Sequence, residues 1–345
     1  MPRPIRASID LEALRHNYLL ARQRAGSARA LAVVKANAYG HGIGRAIQAL
    51  GGVADGFALL DLDEARALRE AGITKPIVLL EGFFEPADLS DVQALGLTPA
   101  IHSEAQLVML ERAALAGPVD VLVKINTGMN RLGLSLAQLA DPLVAGLEID
   151  ALLSHLASAE DDTPLNAAQL ARWQEARRMA AHARASLANS AGIMLGEAYH
   201  GDLTRPGIAL YGGVPCAALA PHIRQVVRPE AAIIQVRDLS AGDTVGYNAT
   251  FTAPMAMRAA VISLGYADGY LRCWSGRGLF RSADGAALPV LGRVSMDMTI
   301  IDLAAAPHLR EGDWVSADYS LPEAAATSGL SQYELLTLLG RRFQR

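Results

Sequence analysis

Through about residue 222, short aliphatic runs alternate with stretches whose apolar positions recur at helical spacing, the pattern of repeated βα units around a parallel sheet. The runs predict strands at 31–34, 57–60, 77–80, 98–101, 119–125, 149–153 and 186–188. An eighth falls at 202–205 or at the more apolar 208–211. Helix ends are marked between them. Asp10 precedes an apolar-periodic run, Ser103 with Gln106 has the capping-box spacing for a helix closing at Gly117, and Thr163 is followed by Pro164. Eight such units predict a (β/α)8 TIM-type barrel of the α/β class. The alternative, an open doubly wound sheet, lacks its dinucleotide signature, because Gly40, Gly42 and Gly44 fall one residue short of GxGxxG.

Beyond Arg224 the texture changes to short β-type runs at 233–236, 259–263, 288–291, 299–303 and 314–317. Gly242-Asp243, Asp284-Gly285 and Gly312-Asp313 mark turns between them. A last helix opens at Ser331 with Glu334 three residues on, placing Tyr333 in its first turn. The expected division is a barrel over 1–222 and a β-rich domain with a terminal helix over 223–345.

Composition narrows the partners. A net charge of −4, no basic run longer than a pair and 5% aromatic residues leave no footprint for nucleic acid or an anionic membrane. Cys216 and Cys273 lack ligand spacing, so neither a metal site nor a disulfide is expected. The opening MPRPIRASID has no apolar core, and the longest charge-free stretch, 206–223, is broken by three prolines and three glycines. These features suggest a cytoplasmic protein with a small-molecule substrate. Of the 31 basic residues 28 are Arg, leaving Lys35, Lys75 and Lys124 as candidates for what a guanidinium cannot do: act as a nucleophile, carry a proton at tunable pKa, or form a carbamate.

In a barrel, chemistry gathers at the C-terminal ends of the strands. Lys35 ends the first predicted strand, Lys124 lies in the fifth and leads to Arg131, and Ser154-His155 ends the sixth. Asn189-Ser190 ends the seventh, with Arg205, Gly207 and Ile208 near the eighth. An amine, two arginines, an imidazole and Gly or Ser donors suit a phosphorylated, electron-withdrawing ligand, and a strand-end lysine suits a Schiff base. Barrel phosphate sites usually come from the loops after strands seven and eight, which favours 202–205 as the eighth.

Nine blocks in order resemble the alanine racemase family: AVVKANAYGHG (32–42), KINTGMNRLG (124–133), SHLASAE (154–160), NSAG (189–192), RPGIALYGG (205–213), VGYNATF (245–251), LGYADGY (264–270), GRVSMD (292–297) and SQYELLT (331–337). The resemblance implies pyridoxal 5'-phosphate held covalently by Lys35, with Lys35 and Tyr247 as proton carriers on opposite faces of the alanine Cα. Tyr39, Ser190, Gly207, Ile208 and Tyr333 match the family's phosphate contacts. Arg205 would face the ring nitrogen, His155 would hydrogen-bond Arg205, and Arg131 with the Met296 N–H would clamp the substrate carboxylate. Lys124 matches a position that the family often carbamylates. The resemblance also implies a head-to-tail homodimer with shared active sites. Asn248 stands where the family commonly has Gly, Asn126 where Asp is common, and the EAYHGDLTRPG approach to Arg205 is unusual, which puts the breadth of substrate acceptance in question. A barrel decarboxylase of basic amino acids and a non-catalytic cofactor carrier are the rivals. The first usually needs a reactive Cys in the second domain, and the second leaves 224–345 unexplained.

Overall fold

A computed structural model of the chain describes residues 3–339 together with Arg342 and Phe343; the extreme ends of the two expected spans lie outside the described residues. The chain forms two compact units, one over 11–224, the other from the first ten residues and 225 onward.

The N-terminal strand β1 (Ile5–Ile9) is followed by eight barrel strands: β2 (Arg29–Val33), β3 (Gly56–Leu59), β4 (Ile77–Leu79), β5 (Thr98–Ile101), β6 (Val121–Lys124), β7 (Ile149–Leu153), β8 (Arg184–Ser186) and β9 (Leu203–Thr204). β2 through β8 pair in chain order, all parallel, and β9 pairs with β2. An Asn189–Arg205 bridge joins the ends of β8 and β9, so the sheet closes into the (β/α)8 barrel. Its strands are buried on both faces, which is why they read as aliphatic runs rather than alternating ones. Helix Pro164–Met179 opens on a Thr163 cap and packs Trp173, 1% exposed, into the core with Leu152 and Leu187.

The eighth strand lies at Leu203–Thr204, inside the favoured 202–205, while Ile208–Tyr211 is a single 3-10 turn. Two expectations change. The helix capped by Ser103 ends at Arg112 rather than Gly117, because Gln93 takes the Ala116 N–H at 3.1 Å and donates to the Gly117 carbonyl at 3.2 Å, satisfying that backbone outside a helix. The N-terminal strand belongs to the β unit rather than to a barrel over 1–222: β1 pairs antiparallel with β10, Ile5 opposite Ala231.

The second unit continues with β10 (Val227–Leu239), β11 (Thr244–Val245), β12 (Phe251–Thr252), β13 (Met257–Ile262), β14 (Leu279–Arg281), β15 (Ala287–Leu291), β16 (Thr299–Asp302) and β17 (Trp314–Ala317). Its seven-stranded sheet runs β1-β10-β13-β16-β15-β14-β17. The 13-residue β10 shifts register between Ile233 and Gln235, and its first part pairs with β17, bringing the sheet back on itself. Helix Gln332–Leu338 opens on the predicted Ser331/Glu334 capping box. No helix among the described residues is long and apolar enough to cross a membrane.

Candidate functional site

Lys35 leaves the barrel wall directly after β2, where Val34 N–H still donates to the Ala58 carbonyl at 2.8 Å. The next four residues, Ala36, Asn37, Ala38 and Tyr39, all have φ between 52° and 55°. A left-handed turn without glycine costs roughly 1–2 kcal/mol per residue, so it must be held from outside. Asn37 N–H donates to the Glu64 carboxylate, and the Asn37 side-chain oxygen accepts from Ile43 N–H at 2.8 Å. His41 Nδ1 lies 3.0 Å from the Ala38 and Tyr39 carbonyls, so this nitrogen carries the ring proton. Burial pushes His41 down to about 4, which keeps the ring neutral.

The turn directs Tyr39 back over the barrel mouth. Its ring stacks on Tyr211 at 4.7 Å between centroids, and its hydroxyl lies where a Cβ on Gly207 would come within 2.6 Å. Ser190 Oγ accepts from Gly207 N–H at 2.9 Å and from Ala209 N–H at 3.3 Å, leaving the hydroxyl proton to donate elsewhere. Ile208 N–H has no acceptor among the described residues. A phenol, a hydroxyl and a backbone N–H beside a glycine that admits no side chain are the donors an oxygen dianion requires. The pyridoxal phosphate expectation fits these residues.

Arg205 is 5% exposed and follows β9. Its guanidinium donates to Ser186 Oγ, to the Ser154 carbonyl at 2.5 Å and to the Leu187 carbonyl at 3.2 Å. These bonds, rather than the expected one to His155, hold it in place. Burial lowers it to about 9, still charged at neutral pH. His155 is held neutral instead, pushed down to about 3 by burial and by the fields of Arg205, Arg131, Lys124 and Lys35.

Lys124 is 8% exposed, with Nζ 3.5 Å from the Leu80 carbonyl. Burial, then Arg205 and Arg131, lower it to about 8, with Glu81 opposing. Burial also lowers Lys35, against the pull of Glu81 and Glu64. Around the mouth, Lys35, Lys124, Arg131 and Arg205 thus feel one another with only Glu81 and Glu64 as counter-charges in these interactions, an excess suited to an anionic ligand. Arg131 itself is exposed. Lys75 stands apart, donating to the Ala54 carbonyl at 2.6 Å.

Tyr247, Met296 and Tyr333 belong to the second unit and are 67%, 54% and 37% exposed. Tyr247 follows Gly246 at φ 71° and precedes Asn248 and Ala249 at 61° and 48°, a tight turn between β11 and β12 on which its side chain is exposed. Met296 N–H donates to no acceptor among the described residues, whereas the Ser295 and Met296 carbonyls accept from Tyr266 and Ala267 at 3.0 and 2.9 Å. Sequence reasoning missed Glu64, Glu81 and Ser186, and it placed Ser154 at a strand end without seeing that its carbonyl holds Arg205. No group of three His, Cys, Asp or Glu among the described residues could hold a metal ion.

Residues 9–215 match the family described as alanine racemase, N-terminal domain, and residues 226–345 match alanine racemase, C-terminal domain. The alanine racemase of Azoarcus sp. (strain BH72) is 45% identical over 343 residues, covering 97% of this chain and 96% of that protein. That of Ralstonia nicotianae is 42% identical, covering 99% and 94%. Among solved structures, the biosynthetic alanine racemase from Pseudomonas aeruginosa superposes with TM-score 0.86 at 38% identity over 99% of each chain. The alanine racemase from Bartonella henselae, with covalently bound pyridoxal phosphate, gives 0.86 at 33% identity over 100% of this chain and 99% of that one.

Proposed function

Because the chain belongs to the alanine racemase family of isomerases, we propose that it interconverts L- and D-alanine with pyridoxal 5'-phosphate on Lys35, and with Lys35 and Tyr247 as the two proton carriers. The observation that supports this best is a lowered lysine amine at the strand end, next to the Tyr39–Ser190–Gly207 anion cradle and an unneutralised Arg205. When bound, pyridoxal phosphate supplies an electron sink for the pair left at Cα when its proton departs.

Ser190, Tyr39, Tyr333 and the Ile208 N–H would hold the phosphate, while Gly207, whose own N–H is engaged by Ser190 rather than free for the phosphate as the resemblance implied, leaves room for it. Arg205, a cation at neutral pH, would lie toward the ring nitrogen and disfavour a proton there, which would weaken the sink and favour racemisation. His155, held neutral, would offer an uncharged face to the ring. Arg131 and the Met296 N–H hold the substrate carboxylate, and Arg suits that role through its planar fork. Lys35 takes or returns the proton on one face of Cα and Tyr247 does so on the other, since a single base tends to return a proton to the face it left.

Lys124 carries a carbamate in this reading. Its neutral amine, accessible because the ammonium is lowered to about 8, adds to carbon dioxide with release of a proton, turning a cation among cations into an anion that orients Arg131. The working form is a head-to-tail homodimer in which Tyr247 serves the partner's barrel.

Exchange of the Cα hydrogen of L- and D-alanine in deuterated water tests the reading. Purified protein should wash deuterium into both enantiomers without releasing carbon dioxide. Carbon dioxide release would point to the decarboxylase, and no exchange by the cofactor-loaded protein would point to the carrier.

A further inference from the structure

In the second unit, the segment that precedes β1 reaches the loop carrying Met296. Arg3 donates to the Ser263 carbonyl at 2.6 Å and to the Asp297 carbonyl. The same guanidinium lies 3.7 Å from the Asp268 carboxylate and 3.9 Å from that of Asp297. Arg342 repeats the pairing from the other end of the chain, 2.7 Å from Asp297 and 3.3 Å from Asp268.

Asp268 is the buried centre of this network. Its side chain is wholly inaccessible, and its carboxylate accepts from Gly265 N–H at 3.1 Å. A buried carboxylate needs charged partners, and here both partners also grip Asp297. Gly265 lies so close to the facing loop that a Cβ would come within 2.5 Å of the Met296 carbonyl and 2.6 Å of Asp297 N. With Tyr266 and Ala267 bonded to the Ser295 and Met296 carbonyls, loops 265–268 and 295–297 form one body, and the arginines fasten its far side.

We propose that Arg3 is a positioning residue for the substrate carboxylate: by holding Asp297 through both its carbonyl and its carboxylate, it steadies the 295–297 loop whose Met296 N–H is oriented by the Tyr266–Ser295 bond. The inference rests on the reading that this N–H binds the carboxylate of alanine. Arg3 acts through Asp297 and makes no contact with the reacting atoms in this account.

The test compares wild type with Arg3→Ala and Arg3→Lys as cofactor-loaded enzymes. Arg3→Ala should raise KM for alanine about tenfold while kcat stays within about twofold, the pattern of lost binding shared by ground and transition states. Arg3→Lys, which keeps the charge but not the planar fork, should recover part of the loss. Amide hydrogen exchange over 294–298 should speed up in Arg3→Ala and return toward wild type in Arg3→Lys. An unchanged KM, or unchanged exchange over 294–298, overturns the proposal even where the melting temperature falls. The exchange measurement needs no turnover, so a protein inactive on alanine would refute the functional reading and still leave positioning of the loop decided.

Discussion

The Arg205 guanidinium donates to the Ser154 carbonyl at 2.5 Å, so the strand-end backbone of β7, rather than a carboxylate, holds the most buried cation of the barrel mouth. Backbone carbonyls orient the group without neutralising it, and its charge remains available to whatever faces it. Replacing the cation with an acid that can share a proton with the ring nitrogen should strengthen the electron sink. Arg205→Glu is therefore expected to lower racemisation and to raise pyruvate formation relative to it by about tenfold or more, read by chiral analysis and pyruvate assay on one sample. An unchanged ratio would show that Arg205 does not select the reaction.

Gly207 and Tyr39 are coupled by space. A side chain at 207 would strike the Tyr39 hydroxyl at 2.6 Å. Gly207→Ala should weaken cofactor retention about tenfold, measured by release during dialysis and the concentration needed for reloading. Tyr39→Phe removes the phenol proposed as a phosphate donor and should weaken retention on its own. In the double variant the clash is relieved, so the two losses should combine to less than their sum. Strict additivity would mean that the cradle is not packed as described.

Much of this was legible in the sequence, and the failures have physical reasons. Strands 98–101 and 149–153 match at both ends, with His102 and Ser154 marking where they stop and Thr98 and Glu148 where they start. The pairing of β1 was invisible, since Ile5 meets Ala231 across the length of the barrel and five residues with one buried position suit many edges. The left-handed turn at 36–39 was equally hidden. Of Ala, Asn, Ala and Tyr only Asn favours that region, and the holding groups, Glu64 and His41, act from outside the turn or beyond its end. Residue types at the site were readable, but the carbonyls that hold Arg205 were not, because every residue has one.

Lys124 offers a direct chemical test. Its amine is buried beside Arg205 and Arg131, so solvent does not relieve the like-charge conflict. Carbon-13 NMR with labelled bicarbonate should show a carbamate resonance that is absent in Lys124→Arg. The signal should fall as pH drops below about 8, where the ammonium takes over from the nucleophilic amine. A spectrum identical in the two proteins would refute the modification.

Two neutral histidines set the acid limit of the barrel unit. His41 and His155 stay unprotonated to about 4 and about 3, whereas in the unfolded chain each titrates near 6.5. As pH falls below about 6.5 the unfolded state binds protons that the folded state does not, so stability declines steadily toward pH 4. The cofactor-free protein should lose several degrees of melting temperature between pH 7 and 5, and His155→Gln should lose less over the same interval. Parallel curves for the two proteins would show that His155 is not held neutral.

The shared-site reading makes a quantitative demand. Lys35 is carried by the barrel unit and Tyr247 by the β unit, and the proposed chemistry needs both at one Cα. In a head-to-tail dimer, each of two sites takes Lys35 from one chain and Tyr247 from the other. Lys35→Ala and Tyr247→Phe should each be inactive alone. After subunit exchange, a heterodimer places both defects in one site and neither in the other. Half the dimers being mixed and half their sites intact, about a quarter of wild-type activity should return. If Tyr247 served its own chain, every site in the mixture would keep one defect. Silence after exchange verified by native mass spectrometry would therefore exclude the shared site and assign both carriers to a single chain.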